Sequence, residues 1–233
     1  MISVCLPTHN GSKYIIQQLN SIICQLKEED EIIISDDSSE DNTCELIQAI
    51  NDKRIKIYRE GKFSSYIFNF ENAIKHATGD YIFLCDQDDV WVNNKVDKML
   101  IALNDAELVV SDCYVTDSNL NIIHDSYFKI RKTTNSILLS LIGGSPYLGC
   151  CTAFNRTILS KVLPFPKSVN SHDIWIGNIA AFYFRIKLID DKLIFYRRHD
   201  GNTSNMAGKS KTSFYKRFID RIKTIMLLLS RIL

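Results

Sequence analysis

The residues of this 233-residue chain that could do chemistry gather in five short clusters. The densest is Cys85-Asp86-Gln87-Asp88-Asp89-Val90-Trp91. Three carboxylates in four residues repel one another, and such a run is hard to hold without a compensating cation. An Asp-x-Asp pair can put oxygen ligands on Mg²⁺ or Mn²⁺ and leave positions open for diphosphate oxygens. The plainer reading is a capped helix start at 89–92. A second carboxylate cluster, Ser171-His172-Asp173-Ile174-Trp175, opens a helical segment. Asp173 there is either an N-terminal cap or a general base that reaches an acceptor hydroxyl.

Three further clusters stand at predicted strand ends. Ser35-Asp36-Asp37-Ser38-Ser39 offers carboxylates that can accept from a base N–H or a ribose hydroxyl, or can cap the next helix. Tyr196-Arg197-Arg198-His199 offers two guanidinium groups and an imidazole for a metal or a diphosphate. Leu6-Pro7-Thr8-His9-Asn10-Gly11, taken alone, is a turn. It lacks the G-x-G-x-x-G of a dinucleotide site, and the chain has no full G-x-x-x-x-G-K-[ST] loop, so both common nucleotide folds are disfavoured.

The elements that must carry these clusters follow from hydrophobic periodicity. Apolar, β-branched runs at 2–6, 31–35, 54–58, 80–85 and 107–111 predict strands. Segments 12–26, 41–50, 65–77 and 91–103 repeat apolar residues at helical spacing. Continuous apolar strands alternating with helices predict an α/β fold, a mostly parallel central sheet flanked by helices. Ligands on such sheets bind at the carboxyl ends of the strands. Beyond residue 115 the alternation loosens: a strand is expected at 121–128, helices at 133–141, 155–162 and 171–184, and strands at 185–189 and 193–198.

Composition narrows the partners. A net charge of +1 supplies no field for nucleic acid, so no nucleic-acid partner is expected. Seven cysteines without a C-x-x-C pair read as buried thiols and suit a reducing cytoplasm. The first residues form a strand pattern rather than a signal peptide. Segment 214–233 is basic and amphipathic, too short in apolar run to span a bilayer. It either lies on an anionic membrane surface or docks on protein.

In this order, Pro7-Thr8-x-Asn10, Asp36-Asp37-x-Ser39, Asp86-Gln87-Asp88-Asp89-x-Trp91, His172-Asp173-x-Trp175 and Arg197-x-His199 resemble the family-2 glycosyltransferases. The likeness runs from residue 2 to about 204 and is strongest to the bacterial branch that builds cell-surface polysaccharides. It implies a GT-A fold, with a nucleotide-sugar half at 1–115 and an acceptor half at 116–213 of a single domain. It also implies inverting transfer of a hexose from a UDP- or dTDP-sugar, with Mn²⁺ or Mg²⁺ as cofactor. The implied acceptor is a glycan, such as one linked to undecaprenyl diphosphate, at the inner face of the cell membrane, and a homo-oligomer is compatible.

The resemblance also assigns roles. Pro7, Thr8 and Asn10 would line the nucleotide pocket, and Asp36 and Asp37 would contact base and ribose. Asp86 would sit near the ribose, Asp88 would ligate the metal, and Asp173 would be the catalytic base. His172 stands where many relatives carry an acid and, with Trp175, would lie on the acceptor side. Arg197 and His199 would reach the diphosphate or the metal, with His199 as the metal ligand. Gly149–Arg156 would form an acceptor-side loop and the start of the next helix. A nucleotidyltransferase would want a Gly-rich or basic loop after the first strand. An inactive membrane-recruited scaffold would not need to keep all these acids.

Overall fold

The computed structural model describes residues 1–59, 61–131, 133, 147–199 and 225–231. Parallel strands β1 (Ile2–Thr8), β2 (Glu31–Asp36), β3 (Ile55–Tyr58) and β4 (Tyr81–Leu84) form one half of the sheet. Helices α1 (Ile15–Ile23), α2 (Thr43–Ala49) and α3 (Tyr66–His76) make the crossovers. β1 and β2 are largely apolar because both faces are covered, every one of their residues being buried, whereas β3 at the sheet edge stays partly exposed. The helices bury one stripe, as Ile15, Leu19 and Ile22 of α1 do at steps of four and three.

Then the sheet turns mixed. Strand β5 (Val90–Trp91) and helix α4 (Lys95–Leu103) lead into the long β6 (Leu108–Thr116), followed by β7 (Ile122–His124) and α5 (Tyr127–Arg131). After β8 (Thr152–Asn155) come the short α6 (Leu159–Val162), α7 (His172–Tyr183) and the last strand, β9 (Ile186–Arg197). The spatial order is β3-β2-β1-β4-β8-β6-β9-β5, with β7 on β6. β8 runs antiparallel between β4 and β6, whereas β9 lies parallel to β6.

Several expected boundaries differ from the observed ones. β9 is one strand where two were expected. The polar Asp190-Asp191-Lys192 stretch stays in the strand because register shifts near Asp112 absorb it as an irregularity. The expected strand at 121–128 is β7 followed by α5: Ser126 Oγ accepts from Lys129 N (3.1 Å), and Asp112 accepts from Phe128 N (3.0 Å). The helix expected over 155–162 begins as a 3₁₀ turn at Arg156–Ile158, directly after the unforeseen β8. The helix expected at 133–141 lies outside the described residues, apart from Thr133. All seven cysteines are free, and all but Cys24 are buried.

Parallel register sets the functional end. Thr8 pairs with Asp36, and Cys5 with Leu84, so the strand ends carrying Pro7-Thr8, Asp36-Asp37 and Asp86-Asp88 lie side by side. At the opposite end, buried Glu31 ties the sheet together. It accepts from Ser3 Oγ (2.5 Å), Thr78 N (2.6 Å) and Thr78 Oγ1 (2.8 Å), and pairs with Lys56 Nζ (2.6 Å).

Burial acts to raise the Glu31 pKa, but Lys56 and the hydroxyl and amide donors outweigh it and hold the carboxyl at about 2. A folded-state pKa below the unfolded one contributes stability above the unfolded value, lost as pH falls through the folded value. Glu31→Gln should therefore destabilise by roughly 2–3 kcal/mol at neutral pH. That deficit should shrink as the pH drops from about 4.5 towards 2. Denaturant midpoints of both proteins across that range check it; equal midpoints at neutral pH would remove Glu31 from this role.

Candidate active site

A cleft of about 750 Å³ opens at the carboxyl ends of β1, β2 and β4. Pro7, Thr8 and His9 line it from β1, Asp37 and Ser38 follow β2, Tyr66, Asn69 and Phe70 come from α3, and Asp86, Gln87 and Asp88 follow β4. Two of the acids expected at a nucleotide take different places. Asp36 is fully buried beneath the cleft, accepting from Thr8 Oγ1 (2.8 Å), Ser39 Oγ (2.6 Å) and Ser39 N (3.0 Å). Burial works against its charge, but those donors hold its pKa below the ordinary carboxylate value. Asp37 faces the cleft and accepts from Phe63 N (2.6 Å).

Asn10 adopts a left-handed backbone conformation (φ 48°), which asparagine tolerates well. Its side-chain Oδ1 accepts from Glu40 N (2.8 Å), so it braces the loop after β1 against the loop after β2. Gln87, between the two acids, clamps the same loop from the other side. Its Nε2 donates to His9 O (3.0 Å) and its Oε1 accepts from His9 N (3.0 Å). Gly11 is needed beneath this clamp, since a Cβ there would lie 2.3 Å from Gln87 Oε1. Gly11→Ala should swing Gln87 away, costing the loop roughly 1–2 kcal/mol of order. The expected readout is a donor KM raised about tenfold with the melting midpoint nearly unchanged; an unaltered KM would show the clamp to be idle.

The acid turn is strongly self-repelling. Burial first, then Asp88 and Asp173, push the Asp86 pKa up to about 8. Asp89, fully buried, is raised well above the carboxylate range by burial and by Asp88 and Asp86. Its Oδ1 accepts from Arg197 N (2.9 Å), and its Oδ2 has no hydrogen-bond partner among the described residues. Asp86, Asp89 and Cys150 each present a ligand atom within 4.8 Å of the others. Asp88 Oδ2 lies 2.7 Å from His199 Nε2, which brings together the two residues expected on a metal. A carboxylate-rich donor set that includes a buried oxygen with no hydrogen-bond partner among the described residues fits a divalent cation.

Asp173 is not among the residues lining the cleft; it stands beside it on α7, next to His172, which packs on the lining residues Tyr66 and Phe70. The Asp173 charge raises the pKa of Asp86 and of the cleft residue Tyr66, so the base candidate and the acid turn share one electrostatic neighbourhood. Asp173 accepts from Ser171 Oγ and from Ile174 N (2.7 Å), an arrangement that also caps α7.

His172 points inward. It stacks on Phe70 (centroids 3.8 Å apart), meets the Tyr66 edge (5.8 Å) and rests on Gly149, where a Cβ would come 2.5 Å from Nε2. Burial pushes its pKa down to about 4, against the pull of Asp173. The structure does not bring Trp175 to the cleft: it packs in the core, its Nε1 donating to Val162 O (3.0 Å). An indole on the α6 side of α7 is held by packing, a distinction that helical spacing does not supply.

Sequence reasoning missed several residues here. Tyr66 and Asn69 carry no motif signal, since an amide or a tyrosine in a helix is ordinary, and Gln87 lies inside the acid motif, which gives the amide between the acids no role of its own. Lys95 is the least expected. Fully buried, it donates to Cys150 O (2.7 Å) and sits 4.3 Å over the Trp91 ring, placing a cation behind the acids. Burial lowers its pKa, while nearby thiols and Asp89 act to raise it.

Residues 3–163 match the model of glycosyl transferase family 2. The chain belongs to that family. It is similar to the E. coli UDP-Glc:alpha-D-GlcNAc-diphosphoundecaprenol beta-1,3-glucosyltransferase WfgD, 26% identical over 190 residues, 78% of this chain and 72% of that protein. Among solved structures it resembles S. aureus TarS in complex with UDP-GlcNAc, with a TM-score of 0.72 and 19% identity over 97% of this chain and 66% of that one. It also resembles the mannosyltransferase PcManGT from Pyrobaculum calidifontis in complex with GDP-Man and Mn²⁺, with a TM-score of 0.63 and 16% identity over 99% of this chain and 63% of that one. The chain thus spans about two thirds of the length of these relatives. Its mixed α/β sheet with flanking helices is the GT-A architecture.

Proposed function

We propose that this family-2 chain transfers a hexose, with inversion, from a UDP- or dTDP-sugar to a glycan hydroxyl in surface-polysaccharide synthesis. The observation that carries the reading is one cleft lined by Asp37, Asp86 and Asp88, whose wall residues Tyr66 and Phe70 pack on His172, the neighbour of Asp173. WfgD uses a UDP-sugar and a diphosphoundecaprenol acceptor by its name, which supports the same classes here.

Pro7, Thr8 and Asp37 bind the nucleoside side, with Asn10, expected there, bracing their loop from outside the lining and Asp36 fixing Thr8 and the turn beneath. Asp86 orients the ribose, while the Arg197 guanidinium expected at the diphosphate is engaged by the protein's own Asp88 O, Ser118 O and Gln17 Oε1. Asp88 and His199 would hold Mn²⁺ or Mg²⁺, the choice supported by the Mn²⁺ of the mannosyltransferase neighbour. When bound, the cation supplies Lewis-acid stabilisation of charge on the departing diphosphate. Asp173 takes the proton from the acceptor hydroxyl as that oxygen attacks, and His172 shapes the acceptor side beside it. Transfer is a direct displacement, so no activated serine or cysteine is required. Incubation with a panel of nucleotide sugars and Mn²⁺, reading nucleoside diphosphate release with and without glycan acceptors, tests it. No release from any donor would sink the reading.

A peripheral membrane site is part of the proposal. Among the described residues no helix is long and apolar enough to cross a membrane. Most of 214–233 lies outside the described residues. Of 225–231, Leu228 is buried while Ile225, Met226 and Leu229 are exposed. Tyr183 Oη donates to Leu228 O (2.6 Å), so one face of the segment docks on α7 and the other is left for an anionic bilayer. Changing Ile225, Met226 and Leu229 to Glu together should abolish sedimentation with phosphatidylglycerol vesicles and leave the melting midpoint intact. Sedimentation equal to wild type would remove this surface from membrane binding.

A further inference from the structure

The acid turn leaves the sheet after β4, and three carboxylates there would splay apart unless something fixed the backbone. The described contacts of Arg197 bear on that turn directly. β5, which follows the acids, is pinned antiparallel to β9, Val90 opposite Phe195 and Trp91 opposite Ile194. Two residues further along β9, Arg197 N donates to Asp89 Oδ1 (2.9 Å). Its guanidinium then turns inward, only 2% of the residue being exposed. Nε donates to Asp88 O (2.6 Å), Nη1 to Ser118 O (2.5 Å) and Nη2 to Gln17 Oε1 (2.7 Å). The group lies 4.5 Å from the Tyr14 ring centroid, and the same ring sits 5.0 Å from that of His199.

All three guanidinium nitrogens are thus engaged with protein, one of them on the peptide of the residue expected to ligate the cation. A planar guanidinium fixes direction as well as charge, because its N–H groups are set in one rigid fork. An ammonium would supply the charge without the geometry.

We propose that Arg197 is a positioning residue: its buried fork holds the Asp88 peptide, and its main-chain N–H holds Asp89, so that the acid turn is set for a divalent cation before the cation binds. The inference rests on the cation and nucleotide-sugar reading above, and it moves Arg197 from the diphosphate to the scaffold of the metal site.

The experiment uses the full chain, free of nucleotide. Mn²⁺ binding is read from the loss of the free-ion electron paramagnetic resonance signal, and UDP binding by calorimetry in EDTA. Arg197→Lys keeps the charge and removes the fork. It should bind Mn²⁺ at least tenfold more weakly, with metal-free UDP affinity within twofold of wild type. Gln17→Leu changes an exposed acceptor of the same guanidinium. It should weaken Mn²⁺ about two- to threefold in the same direction, and it carries the test if Arg197→Lys does not fold.

Wild-type Mn²⁺ affinity in both variants would overturn the proposal. So would a tenfold loss of metal-free UDP affinity in Arg197→Lys with Mn²⁺ binding intact, which would mark a direct diphosphate contact. A wild-type protein that releases nucleoside diphosphate from a sugar donor but binds no Mn²⁺ would overturn this inference and leave glycosyl transfer standing. Absence of any donor turnover strikes the function itself.

Discussion

Asp173→Asn should lower kcat by about 10²–10⁴ while nucleoside diphosphate affinity stays within twofold. The substitution keeps the shape of the side chain and its acceptance from Ile174 N (2.7 Å), so the cap on α7 persists. What disappears is the ability to take a proton. Since Asp173 contributes to the raised pKa of Asp86, the variant should also lower the pKa of that acid, visible as a shift in the acidic limb of donor binding. A cap-only role would predict a lower melting midpoint with unchanged turnover. Single-turnover transfer and calorimetry with UDP, run on the same preparation, separate the two, and turnover at the wild-type rate removes Asp173 from catalysis.

Asp88→Asn should make donor binding indifferent to the cation. For wild type, UDP affinity with Mn²⁺ should exceed that in EDTA; for the variant the two should coincide, a loss of at least about 10² in metal-linked affinity. The amide retains the size of the side chain and can still meet His199, 2.7 Å away, so the pair need not collapse. The charge facing the cation is gone. Relief of repulsion on Asp86 and Asp89, both raised by Asp88, should leave the variant as stable as wild type or more so. Loss of stability together with loss of binding would instead identify Asp88 as a structural acid.

Much of the site was legible because a parallel sheet converts sequence position into spatial position. A cluster written directly after an apolar strand emerges at that strand's carboxyl end, so Pro7-Thr8, Asp36-Asp37 and Asp86-Asp88 had to be neighbours once β1, β2 and β4 were adjacent. Asp173 and His199 were harder. Their segments follow the region where alternation fails, and their approach to the acid turn depends on β8 entering antiparallel and β9 pairing with both β6 and β5. Four-residue and two-residue strands carry too little periodicity to be read from composition.

The amino-acid sequence by itself determined the α/β class, the parallel nucleotide half and the acidic chemistry of the strand ends, because burial on both faces dictates apolar strands and charge has nowhere else to go. Only the tertiary structure decided what each polar group does once there. It sent Asp36 beneath the cleft and Asp37 into it, folded Arg197 back onto the Asp88 peptide, buried Trp175, and set Lys95 behind the acids. Side-chain direction and hydrogen-bond partners are fixed by neighbours distant in the chain, and no local pattern encodes them.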